Sequence, residues 1–160
     1  MRLVVDANVL VGELLRARGR RLLSDSRLEL SVSAATWEEA EHEFSKRLKA
    51  FAERRELPDE LAKALFAESL LLARRNVDIV PPSLYAGLQE DAIWRVPQDP
   101  DDWSSVALAI ALDAGIWSED RDFFGCGLPT WTTNVLDACL ERAKDGDTPA
   151  EAWVRPPSRE

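Results

Sequence analysis

Short apolar runs, each too brief for a helix, alternate along this chain with segments whose apolar residues recur at helical spacing. That alternation is the strongest constraint on the fold, because adjacent parallel strands need long crossovers and helices supply them. Leu3 to Val5 form the first run and stop abruptly at Asp6, as a buried central strand does; Asn8 to Leu15 then read as helix. Leu28 to Val32 and Val77 to Val80 read as further strands, the latter closed by Pro81 and Pro82. Between them Trp37, Ala40, Phe44, Leu48 and Phe51 recur at helical spacing behind a cap at Ser33 or Thr36. Pro58 suits a helix's first turn, and Leu61, Ala64, Leu65 and Leu72 carry that helix to Asn76. Ser83 to Val96 has no decisive pattern.

The best-patterned element starts at Asp99, with Pro100 at the first helical position and an apolar stripe of Trp103, Val106, Ala107, Ile110, Ala111 and Ala114 stopped by Gly115. Ile116 to Ser118 give a minimal strand, an acidic turn follows, and Leu128 to Trp131 give a last strand before a helix from about Asn134 to Lys144. The expected fold class is α/β, a three-layer α/β/α arrangement around a central parallel sheet. Residues 1–144 are expected to form one domain and residues 145–160, with Gly, Pro and charge but little periodicity, a loosely attached tail. A chain of 160 residues that is 46% hydrophobic can bury one core of that size.

A formal net charge of −9 argues against a partner held by electrostatics alone, such as nucleic acid. The objection weakens if several acids bind divalent cations, since bound ions reverse the local field. Basic residues cluster at Arg16, Arg18, Arg20 and Arg21, and again at Lys46, Arg47, Lys49, Arg54 and Arg55. Each cluster suits either a phosphate backbone or a solvated helix face paired with neighbouring Glu. Cys126 and Cys139 form no CxxC pair and have no His cluster, so free thiols in a reducing cytosol are expected. No apolar run approaches membrane-spanning length and Asp6 interrupts any leader-like start, so a soluble cytoplasmic protein is expected.

Acids recur at the ends of these elements. Asp6 follows the first strand, Glu39 stands early in a helix, Asp102 at a helix start, and Asp120 and Asp122 beyond a late strand. Each has a structural explanation of its own. Asp6 can cap the next helix, Asp102 at the third helical position can meet free amides, Glu39 can lie on a solvated face, and Asp120 and Asp122 can be turn residues. Parallel α/β sheets, however, gather sites at the carboxyl ends of their strands, where carboxylates repel one another unless cations are bound. Oxygen-only donors suit Mg²⁺ or Mn²⁺, and such ions activate water for phosphodiester hydrolysis without a protein nucleophile. The sole histidine, His42, lies on a Glu-rich helix and reads as a surface residue.

The strings V-V-D-A-N-V-L, S-A-A-T-W-E-E, D-P-D-D-W-S-S-V-A-L-A and I-W-S-E-D-R-D-F-F-G follow one another along the chain. In this order and spacing they resemble the blocks of the PIN domain, the nuclease fold of VapC-type toxins from bacterial toxin–antitoxin pairs, over nearly the whole chain. The closing T-W-T-T at 130 to 133 is similar to one PIN subgroup. The resemblance implies that Asp6, Glu39, Asp102 and Asp120 form the catalytic set. It implies Asp6, Asp102, Asp120 and Asp122 as ligands of Mg²⁺ or Mn²⁺, with Asn8 and Ser118 in support; Ser118 stands where the family usually has Thr. Asp99 and Asp101 are the substitutes for Asp102. A metal-dependent endoribonuclease follows, with RNA as substrate and often an antitoxin partner and a homodimer. Two alternatives stay open. One is a non-catalytic PIN-like module that binds RNA or protein; the other is an acid-pocket phosphatase or receiver domain with Asp6 as nucleophile, against which Asn8 stands where a second Asp belongs.

Overall fold

A computed structural model describes residues 1–143, so the tail expected at 145–160 and the helix end at Lys144 lie outside the described residues. Strands β1 (Arg2–Val5), β2 (Glu29–Ser33), β3 (Val77–Val80), β4 (Gly115–Trp117) and β5 (Thr130–Trp131) form one sheet in the order β3-β2-β1-β4-β5, every pair parallel. Helices α1 (Ala7–Leu14), α2 (Ala17–Leu23), α3 (Ala34–Arg54), α4 (Asp59–Asn76), α5 (Gln89–Arg95), α6 (Trp103–Leu112) and α7 (Thr133–Arg142) cover it.

Alternation along the central strand divides the helices into two layers. Leu3 and Val5 point into a core shared with α1, α2, α3 and α7 through Leu10, Leu22, Phe44 and Leu136. Val4 points the other way, into a core built from Ala92 of α5 and Val106 to Ala109 of α6. Trp117 joins the first core and its neighbour Ile116 the second, so β4 repeats the alternation. The chain is therefore the three-layer α/β/α protein that its sequence implies.

Local boundaries differ in instructive ways. The segment from Ala17 to Leu23, read only as a basic cluster, is a helix of its own. Its arginines are engaged: Arg18 donates to Asn134 (2.9 Å) and Arg21 pairs with Asp137 (2.7 Å), fastening α2 to α7. The unassigned stretch before Val96 holds α5 and two single 3-10 turns at Pro82–Leu84 and Ala86–Leu88, whose changing period hides the pattern. Pro58 precedes α4 as its N-cap residue. Helix α6 is buried nearly all round from Ser104 to Ala109 while Ala111 is exposed, so a single stripe describes it poorly.

Gly115 does not stop α6. The stop is Asp113, which takes the left-handed conformation (φ 50°), and Gly115 opens β4. A Cβ at Gly115 would lie 2.9 Å from the Pro129 carbonyl oxygen and 3.2 Å from both Leu3 Cδ2 and Trp131 Nε1. Gly115→Ala is expected to destabilise the fold by about 2 kcal/mol through overpacking between β1 and β5. Urea denaturation checks this; an unchanged midpoint would show that the strands shift apart freely.

Candidate metal and nuclease site

Strand register brings the candidate residues together. Val5 pairs with Trp117, so one step further Asp6 and Ser118 lie side by side beyond the strand ends. The Asp6 N–H donates to the Trp117 carbonyl (3.0 Å), and its own carbonyl accepts from Leu10 in the first turn of α1. Although Asp6 is the N-cap residue of α1, its side chain makes no capping bond. The buried carboxylate instead accepts from Ser118 Oγ (2.9 Å), and the same hydroxyl accepts the Asp120 N–H (2.9 Å). Ser118 thereby couples the end of β1 to the acidic turn after β4.

On the opposite flank, β2 runs straight into α3, whose N-cap Ser33 accepts from the Thr36 N–H (3.0 Å). Ser33 Oγ also meets Thr36 Oγ1 (2.7 Å) and Ser104 Oγ (3.0 Å), and Thr36 Oγ1 meets Ser105 Oγ (3.2 Å). This buried hydroxyl cluster locks the start of α3, which carries Glu39, against the start of α6, which follows Asp102. Ser104 and Ser105 escaped the sequence reading; the available signal was two hydroxyls in an otherwise apolar helix. Asp102 ends a 3-10 turn, Pro100–Asp102, capped by Asp99, rather than occupying the third position of an α-helix.

Four carboxylates feel one another across this space. Burial pushes Asp6 up to about 6 against the opposing Ser118 bond, with Glu39 and Asp120 adding like charge. Asp102 is pushed up to about 7, first by burial and then by Asp6, Asp99, Asp120 and Glu39. Glu39 and Asp120 themselves are exposed. Asp122 is not among these main charges; its N–H donates to Asp120 Oδ1 (3.0 Å), as a turn residue's does. Asn8 is exposed and accepts from Arg47 (2.8 Å), which draws one cation of the second basic cluster beside α1. His42 is exposed on α3.

Among the described residues, no three His, Cys, Asp or Glu side chains form a set that could hold a metal ion as they stand. The donor chemistry nonetheless suits a hard cation, since Mg²⁺ is usually held by one or two carboxylates and keeps several waters. Two carboxyls driven toward neutrality by burial, with like charge adding to it, are also what a divalent ion would relieve. A cavity of about 460 Å³ between α3 and α4, walled by Leu48, Ala52, Leu57 and Phe66, contains none of the four acids. Its size does not outweigh the acids, because it gathers no comparable set of interacting charges.

An all-parallel sheet covered on both faces, with interacting carboxylates beyond the carboxyl end of its central strand, defines an α/β protein with an acidic site at the strand ends. The family model described as PIN domain matches residues 4–141, and the chain belongs to that family. PIN domains are generally nucleases. A search among curated proteins finds no match. Among the described residues, no helix is long and apolar enough to cross a membrane.

Proposed function

We propose that this PIN domain is a Mg²⁺- or Mn²⁺-dependent endoribonuclease, and the observation that carries the reading is the pair of buried carboxyls, Asp6 and Asp102, that Glu39 and Asp120 both charge beyond the carboxyl end of the central strand. Asp6, Asp102 and Asp120 would hold the ion, with Asp122 the outlying candidate ligand and Glu39 oriented toward the same charge. When bound there, such an ion would supply a polarised water for hydrolysis of the phosphodiester and charge stabilisation for the leaving oxygen. Ser118 donates to one Asp6 oxygen and so fixes the orientation in which the carboxylate would meet the ion. The hydroxyl cluster of Ser33, Thr36, Ser104 and Ser105 fixes the two helix starts that present Glu39 and Asp102.

The VapC-like motif order supports a finer reading: a toxin that acts on cellular RNA in the cytoplasm, as a homodimer, and is silenced by an antitoxin protein. Purified protein with Mn²⁺ is expected to cleave single-stranded RNA, and EDTA to abolish the cleavage. Intact RNA across varied sequences, together with a Mn²⁺ affinity by calorimetry that Asp102→Asn leaves unchanged, would sink the nuclease reading. Growth arrest on expression, relieved by Asp6→Asn, tests the toxin reading separately, and light scattering tests the dimer.

A further inference from the structure

Beside the acidic turn the protein exposes two aromatic rings that the fold does not need. Trp94, near the end of α5, is 79% exposed although its neighbour Ala92 is fully buried, and Phe124 is 49% exposed immediately after the turn that carries Asp120 and Asp122. Both line one cleft of about 420 Å³, together with Pro97, Gln98, Asp122 and the backbone from Gly125 to Gly127. Asp122 stands between this cleft and the acidic site, lining the first while its amide is bonded to the Asp120 carboxylate.

The two walls are held in register. Arg95 donates to the Cys126 carbonyl (3.2 Å) and to Asp91 (3.3 Å), tying α5 to the loop that follows Phe124. Gly127 sits at φ +82° with its α-carbon so close that an added Cβ would lie 3.0 Å from the Arg95 guanidinium. Arg121, in the same turn as Asp122, is exposed and makes no ion pair among the described residues. A cleft with aromatic faces, the Gln98 amide and Asp122 in its walls, and an exposed arginine in the turn that supplies Asp122, is poorly suited to an apolar protein segment. It suits a flat heterocycle attached to a phosphate.

We infer that Trp94 and Phe124 form a stacking subsite for one unpaired base of an RNA strand whose adjoining phosphate lies at the acidic site, with Arg121 on the neighbouring phosphate. The inference rests on the nuclease reading for the identity of the strand, and on the cleft itself for the stacking. It restricts the substrate to single-stranded or unpaired RNA, because a base in a duplex keeps its faces covered by its neighbours.

The test uses a short single-stranded oligoribonucleotide carrying 2-aminopurine, and a duplex of the same sequence, both titrated in Ca²⁺ buffer into the full chain. Wild type is expected to bind the single strand and quench the fluorophore. Trp94→Ala is expected to weaken binding about 5- to 150-fold, the range of one lost base–aromatic stack. Phe124→Ala should do likewise, Trp94→Phe should retain most of the affinity, and the quench should fade with the affinity. Equal single-strand affinity and quench in Trp94→Ala and wild type would overturn the subsite, as would an equal loss on the duplex. A dimer that dissociates in Trp94→Ala while RNA affinity holds would overturn it in favour of a second copy of the chain. A parallel Mn²⁺ cleavage assay separates the two readings. Cleavage by wild type with no Trp94 effect on affinity removes the subsite alone, and Trp94-dependent quenching without any cleavage removes the nuclease reading alone.

Discussion

Asp6→Asn is expected to reduce Mn²⁺-dependent RNA cleavage by more than about a hundredfold, because even the hydrogen-bond partners of metal ligands cost 10- to 100-fold when removed. The substitution preserves shape and leaves an amide oxygen able to accept from Ser118 Oγ. It removes a charge that the fold buries at a cost, so the variant should be as stable as wild type or more so when no ion is present. Loss of cleavage in a protein that melts no earlier therefore reports on chemistry rather than folding. Cleavage within a few-fold of wild type would remove Asp6 from the site.

Without divalent ions, the protein is expected to lose stability as pH rises from about 4 to about 7, opposite to the usual behaviour of a salt-bridged carboxylate. The sign follows from Asp6, whose carboxyl is held at about 6 when folded against an ordinary aspartate value of 3.8. A raised folded value means that folding favours the protonated form. The contribution is complete below the unfolded value and is lost as pH passes through the folded one. For Asp6 it is on the order of 3 kcal/mol, and Asp102, held at about 7, extends the same trend upward in pH. Mn²⁺ should reverse the profile, since it binds the ionised acids and stabilises by about 2.7 kcal/mol at a hundred times its dissociation constant. Urea denaturation in EDTA and in Mn²⁺ across this pH range makes the measurement, with Asp6→Asn as the control that isolates the Asp6 share. An EDTA profile parallel to that of Asp6→Asn would show that Asp6 titrates normally.

The layered fold was legible because strand and helix periods alternate cleanly around Leu3 to Val5, Trp37 to Leu48 and Val106 to Ile110. Segments that failed to read owe their structure to distant partners or to irregular turns. Helix α2 is held by Asn134 and Asp137, more than a hundred positions away, and α5 hides behind two 3-10 turns. In the candidate site, the acids stood out by type and by position at element ends. Of the groups that hold them, Ser118 was named only through the family resemblance, 112 residues from Asp6, and Ser104, 71 residues from Ser33, was not named at all. Such contacts follow from topology, which no local window contains. The capping reading of Asp6 failed for a related reason, since its side-chain partner is the Ser118 hydroxyl just beyond β4.

The position of β4 also bears on when the acidic site is put together as the chain is made. A nascent chain that has emerged only through α6 already carries Asp6, Glu39 and Asp102, yet it lacks both Asp120 and the Ser118 hydroxyl that orients Asp6. The edge of β1 opposite β2 is then still bare. The acidic cluster can therefore be completed only after β4 has been made and has paired with β1, so translation order makes the site one of the last-assembled features of the sheet.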